Sequence, residues 1–228
     1  MITLLHGDYI EASRNELNRL KEKAKGRELR ELDGRTVEES DLTQSLESSS
    51  LFGGETVVII ERLFSKIGRQ QKRIEKLCTL LAGDWASDII LWEDKEVSSS
   101  VVKQLGSKAQ VRLFKLPVLI FQFLDSVHSG SASLTLGIFE KLVADVAPEL
   151  VFSMLVRRVR QLMQIHEGGN PAGLAGWQIS RLTTQAKSFT MEQLVSFYRQ
   201  LLDSEVAMKT GASAFTAREH IEYLLSSL

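Results

Sequence analysis

One cysteine, Cys78, in 228 residues leaves no partner for an intrachain disulfide and no thiolate cluster for a metal. That usage fits a reducing compartment, and a cytoplasmic location is the expectation. The net charge of −1 gives no global field to attract nucleic acid, so any DNA contact must come from a local patch. No apolar run approaches the roughly 18 to 20 residues that span a bilayer, so no membrane role is expected. The opening MITLLHGDYIEASRNE has too short an apolar stretch, followed too soon by acids, for a signal peptide. The four histidines, His6, His128, His166 and His220, do not pair with each other or with the cysteine at metal-ligand spacing. No G-x-S-x-G elbow occurs. No catalytic site, cofactor or metal is therefore expected. Low-complexity tracts and internal repeats are also missing.

What is there falls into two halves with different patterning. In the first, short β-rich runs alternate with helical stretches. Strands are predicted at Ile2 to His6, Glu28 to Leu32, Thr56 to Glu61, Ser87 to Trp92 and Gln110 to Phe114. Thr56 to Ile60 and Asp88 to Trp92 are nearly continuous in apolar residues. Such runs belong to strands buried on both faces, as in a largely parallel sheet covered by helices. Between them lie helical candidates at Glu11 to Lys25, from Thr36 with Glu39 at capping-box spacing, at Lys66 to Leu81, and after Ser98. The expectation is a five-stranded, mostly parallel α/β domain over residues 1–116.

After Leu116-Pro117 convincing strands stop. Val118 to Val127 reads as a helix, although its apolar start could also pass for a strand. Further helices are predicted at Ser133 to Val146, from Pro148 through Met163, at Ala172 to Lys187, at Met191 to Ala207 with Thr190 and Gln193 as a capping box, and after Gly211. Residues 117–228 are thus expected to form an all-helical domain.

An α/β domain invites a search for a phosphate loop after its first strand. That segment is His6-Gly7-Asp8-Tyr9-Ile10-Glu11-Ala12-Ser13-Arg14. A working loop needs a second glycine that lets backbone wrap phosphates, a lysine that meets their charge and a hydroxyl that meets magnesium; here Ala12 and Ser13 stand near the places where the glycine and lysine would be wanted. Asp8 and Glu11 would add negative charge beside a polyphosphate. Glu93-Asp94 ends the fourth strand, where an ATPase would hold magnesium-binding acids, but without the loop it reads as a polar strand end.

Ser48-Ser49-Ser50-Leu51-Phe52-Gly53-Gly54-Glu55 precedes the third strand. Leaving Leu51 and Phe52 exposed would forgo about 1.5 to 3 kcal/mol each, which a protein tolerates when a partner supplies the burial. From spacing alone, packing against their own domain stands beside the partner reading.

Here the sequence resembles a family, the delta subunits of bacterial DNA polymerase III. Shared features are the opening Ile2-Thr3-Leu4-Leu5-His6-Gly7-Asp8 and Ser50-Leu51-Phe52 before the hydrophobic run Thr56 to Ile60. Arg157, Arg160 and Leu162 match an Arg-x-x-Arg-x-Leu pattern, and Leu201 to Gly211 carries Glu205 four positions before Lys209-Thr210-Gly211. The order of these pieces covers most of the chain. The resemblance implies an AAA+-like fold that hydrolyses no ATP, followed by a helical collar. It implies that Leu51 and Phe52, with Ser50, bind and open a sliding clamp. It also implies partners: ATPase motor subunits, delta-prime, and primed DNA through the complex. Arg157, Arg160, Glu205 and Lys209 become candidates for collar and subunit contacts, Lys209 also for an in-helix pair with Glu205. The chain departs from the family in one respect. Phe114 to Pro117 runs almost directly into the collar, so the small lid domain is expected to be missing.

Lys66, Arg69, Lys72, Arg73 and Lys76 recur at three- or four-residue steps and form a predicted basic stripe. Solvent, an acidic clamp surface and DNA phosphates all remain open as what it meets. Two other readings stand against the clamp loader: a small α/β nucleotide-binding enzyme, and a DNA-binding protein acting without a clamp.

Overall fold

The structure, a computed structural model, describes residues 1–47, 55–67, 70–107 and 109–228. It divides into two compact units, Met1–Leu116 and Pro117–Leu228. The first alternates strand and helix: β1 (Ile2–Gly7), α1 (Ile10–Lys23), β2 (Glu28–Asp33), α2 (Glu39–Glu47), β3 (Thr56–Glu61), α3 (Leu63–Ile67), α4 (Gln71–Leu81), β4 (Asp88–Glu93), α5 (Ser99–Leu105) and β5 (Ala109–Phe114). The five strands form one parallel sheet in the order β2-β3-β4-β1-β5.

The continuous apolar runs are explained by the two-sided burial of the central strands. Leu4, Val58, Ile60, Ile89 and Leu91 face a core built with Leu42 and Leu46 of α2, Ile74, Leu77 and Leu81 of α4, and Val101 and Leu105 of α5. The alternate residues Leu5, Val57, Ile59, Ile90 and Trp92 face Leu17 of α1. Period-two alternation sends neighbours to opposite faces, so both parities must be apolar. The edge strand β2 instead alternates between half-buried and exposed residues and carries charges, which disfavours pairing with another edge.

The second unit is helical: α6 (Val118–Ser126), α7 (Ala132–Leu142), α8 (Pro148–His166), α9 (Gly176–Ala186), α10 (Met191–Thr210) and α11 (Ala217–Ser226). The apolar start of α6 is helical, not extended: Ile120, Phe123 and Leu124 turn inward together, and Phe123 lies 5.7 Å from the Phe139 ring of α7. α8 buries Val151, Leu155, Val159 and Leu162 along one stripe and packs against α6, α9, α10 and α11. The Thr190 box forms, with Gln193 N–H donating to Thr190 Oγ1 at 3.2 Å and Thr190 N–H to Gln193 Oε1 at 2.8 Å. Gly211 ends α10 in the left-handed region at φ 68°, as a helix-stopping glycine does.

Two local expectations are corrected. Thr36 caps no helix. Its N–H and hydroxyl both donate to the Asp33 carbonyl in the turn after β2, and α2 starts only at Glu39. The helix expected over Lys66 to Leu81 is two helices, α3 and α4, with the non-helical Gln70 (ψ 80°) before the second. Gly68, about 1 kcal/mol poorer than alanine inside a helix, is the sequence reason for a break.

Candidate functional site

In open α/β sheets, ligands bind outside the carboxyl ends of the strands where the strand order reverses. Here that place is the end of β1, between β4 and β5. The backbone there is already engaged. Gly7 N–H donates to the Lys95 carbonyl at 3.2 Å, and Tyr9 N–H to the Phe114 carbonyl at 3.1 Å. Leu116 N–H donates to Asp8 Oδ1 at 2.9 Å. Val97 N–H donates to Nδ1 of the buried His6 at 3.0 Å, which fixes that nitrogen as an acceptor; burial lowers the pKa of this imidazole. Ser13, near where a loop lysine would be wanted, is fully buried. Its hydroxyl donates to the Ile10 carbonyl and accepts from Trp92 Nε1. Gly7 adopts φ 137°, and a Cβ on it would lie 1.9 Å from the Phe114 oxygen. The glycine thus lets β5 and the β1–α1 turn close on each other.

Glu93 and Asp94 are structural in a more demanding way than a polar strand end. Glu93 is 1% exposed, and its carboxylate accepts from Phe64 N–H (2.7 Å), Ser65 N–H (3.1 Å) and Ser65 Oγ (2.7 Å) at the start of α3. Burial pushes its pKa above the ordinary glutamate range, and the three donors oppose that rise. Asp94 accepts from Arg62 Nε at 3.0 Å. Arg62 has a left-handed backbone (φ 59°), held by its N–H donating to the Trp92 carbonyl at 2.7 Å. Across the sheet end, Arg14 forks onto Glu61 with two bonds of 2.7 Å and lies 3.6 Å from the centre of the Trp92 ring. Sequence reasoning missed this Arg14–Trp92–Arg62 lattice, because its members are distant in the chain, Arg14 and Trp92 lying 78 positions apart, and no spacing rule connects them. Among the described residues no three His, Cys, Asp or Glu side chains converge as a metal site.

The expected anchor, Ser50, Leu51 and Phe52, lies outside the described residues. The chain on either side is placed: α2 ends at Glu47 and β3 starts at Thr56, at the amino end of the parallel strands, opposite the carboxyl end of β1. Arg27 braces the start of β3, meeting Glu55 at 3.2 Å and Asp88 at 2.8 Å. Of the basic stripe, Lys66 falls on α3, Arg69 lies outside the described residues, and Lys72, Arg73 and Lys76 are exposed on α4. The split of the helix divides the stripe, and Lys76 pairs with Glu39 of α2.

In the helical unit the expected residues come together. Arg160, Glu205 and Lys209 line one groove of about 410 Å³ between α8 and α10, floored by Phe152, Val156 and Met208. Lys209 pairs with Glu205 at 2.6 Å, the in-helix alternative raised by their spacing. Arg160 donates to the Tyr198 hydroxyl at 2.9 Å. Arg157 lines a neighbouring cavity of about 370 Å³ that shares Ser153, Val156 and Arg160 with the first. The intervening Arg158 serves the fold: it bonds Asp125 and Gln185, each at 2.9 Å, and Asp125 also holds Arg181.

No family model matches this chain, and no curated protein does. Solved structures do match. The Bacillus subtilis DNA clamp loader delta protein (YqeN) aligns over 98% of this chain and 94% of its own, with a TM-score of 0.52 and 14% sequence identity. The chain has a delta-like fold. At that identity the likeness is one of fold. The delta-like fold spans both the parallel α/β unit and the helical unit, so the resemblance in the motifs and the likeness in architecture cover the same stretch of chain. Among the described residues no helix is long and apolar enough to cross a membrane.

Proposed function

We propose that this chain is a clamp-loader subunit of the delta type, which binds a sliding clamp and favours its open form for loading onto primed DNA. The observation that carries the reading is the delta-like fold along nearly the whole chain; the sequence resemblance adds Ser50-Leu51-Phe52 ahead of the hydrophobic run of β3. Leu51 and Phe52 are the anchor for a hydrophobic pocket on the clamp, with Ser50 beside them. Opening needs no work cycle within this subunit. It follows if the open ring is bound better than the closed one. The subunit acts in the cytoplasm without ATP hydrolysis of its own, which the engaged Gly7 and Tyr9 amides and the buried Ser13 support. The helical unit is its collar, meeting ATPase motor subunits and delta-prime through the surface that carries Arg157, Arg160, Glu205 and Lys209. Lys66, Arg69, Lys72, Arg73 and Lys76 supply positive charge to the clamp or to DNA. Only Lys115, Leu116 and Pro117 separate β5 from α6, in keeping with a reduced form that lacks the lid.

The test is binding of the purified chain to the sliding clamp of the same organism, beside a Leu51→Ala, Phe52→Ala variant. Loss of two pocket anchors at roughly 2 kcal/mol or more each is expected to weaken binding at least several hundred-fold. Failure of the intact, folded chain to bind the clamp would remove the reading. A rise in melting temperature with ATP would favour a nucleotide enzyme instead.

A further inference from the structure

The two cavities that share Ser153, Val156 and Arg160 follow one exposed face of α8 from Glu149 to Gln164. Fifteen residue steps at about 1.5 Å make a trough roughly 22 Å long, the length of a four-turn helix. Its floor is apolar, from Phe152, Val156 and Met208. On α10, Leu202, Glu205, Val206 and Lys209 fall at i, i+3, i+4 and i+7, one helix face. Leu202 and Val206 are about half exposed, at 49% and 51%. An apolar centre that includes a methionine, with arginines at its margin, is the composition of a protein interface core and rim.

The charges select the occupant. Lys209 is balanced by Glu205. Glu149 sits in the first turn of α8, where the helix dipole favours a carboxylate. Arg160 meets the neutral Tyr198, through its hydroxyl and its ring, and among the described residues neither Arg157 nor Arg160 has a carboxylate partner. Two cations three residues apart on α8 thus stand beside an apolar floor with their charge unanswered. Mixed signs along the trough, with Glu149 and Glu205 on it, disfavour a polyphosphate.

We infer that this trough takes an acidic amphipathic helix from another loader subunit, its apolar side on Val156 and Met208 and carboxylates one turn apart meeting Arg157 and Arg160. The inference rests on the clamp-loader reading and specifies the chemistry of one of its contacts.

The test uses the full chain in a loader reconstituted with the motor subunits and delta-prime of the same organism. Arg157→Glu with Arg160→Glu is expected to weaken assembly roughly tenfold or more, since like charges would face each other, and Arg157→Gln with Arg160→Gln to weaken it less. Both variants should keep the wild-type melting temperature and the wild-type affinity for the clamp. A Val156→p-benzoylphenylalanine photocrosslink should map to a partner helix with carboxylates three or four residues apart. Unchanged assembly by the charge-reversed variant overturns the inference, as does a crosslink to a basic or extended segment. So does a fall in affinity for primed DNA while assembly stays intact, which would make the arginines a nucleic-acid contact. If the wild-type chain joins neither loader nor clamp, the clamp-loader reading itself fails, a result distinct from all of these.

Discussion

Gly7 occupies the place where a nucleotide-binding loop would begin, and the structure gives it a different duty that a single methyl group can test. At φ 137° the residue lies where L side chains are strained by about 1 to 3 kcal/mol. A Cβ there would meet the Phe114 carbonyl oxygen at 1.9 Å, its carbon at 2.6 Å and the Phe114 nitrogen at 2.9 Å. These are backbone atoms, so no side-chain rotation relieves the overlap. Phe114 must move away, and with it goes the bond that its oxygen accepts from Tyr9 N–H, worth about 1 kcal/mol net. Gly7→Ala should therefore cost about 2 to 4 kcal/mol in total. At roughly 2 to 4 °C per kcal/mol for a chain of this size, the melting temperature should fall by about 4 to 16 °C. The assay is thermal unfolding by circular dichroism, with and without millimolar ATP. Nucleotide should move neither protein's transition, because the Gly7 and Tyr9 amides are already bonded within the fold. A Gly7→Ala protein melting within about 2 °C of wild type would refute the steric argument.

Two further predictions concern the sheet end. Glu93 has its pKa raised, chiefly by burial. The folded state therefore holds its proton more tightly than the unfolded chain. Its contribution to stability is full below the ordinary glutamate range and is lost as pH rises through the raised value. Glu93→Gln, which cannot titrate, should remove that slope, so urea midpoints from pH 4 to 8 should show wild type losing ground to the variant as pH rises; parallel curves would count against it. Trp92 is fully buried and donates to Ser13 Oγ at 3.1 Å beneath the Arg14 guanidinium. Trp92→Phe should lose about 1 to 3 kcal/mol in urea unfolding through the vacated volume and the missing donor, and a loss under 0.5 kcal/mol would show that the site collapses freely.

The regularity of the fold was legible because its signals are local. Val57 to Ile60 and Ile89 to Trp92 must be apolar at every position to serve two faces, and that need is written in consecutive residues. The Thr190 box and the Gly211 stop are equally local, and both formed where their spacing put them. Errors arose where two local rules competed. Thr36 and Glu39 have capping-box spacing, yet the turn leaving β2 engages Thr36 instead, its N–H and hydroxyl both donating to the Asp33 carbonyl. The periodicity of Lys66 to Lys76 suits one helix, but Gly68 weakens it where the chain divides into α3 and α4.

The sites divide along the same line. Arg157 and Arg160 share a helix, as do Glu205 and Lys209, so each pair could be read from spacing; that the two helices bring them to one trough could not. Glu93 shows the limit most sharply. An acid at the end of the fourth strand carries the same letter whether it faces a magnesium ion or the first amides of a helix. The distinction lies in the donors, and Phe64 and Ser65 are 29 and 28 residues away in sequence. In a chain without a phosphate loop, a buried carboxylate still needs donors or a proton, because leaving it charged and bare is too costly. The N–H groups at the start of α3 provide those donors. The acid can thus persist at its position with a structural duty alone, and its presence at a strand end does not by itself imply nucleotide chemistry.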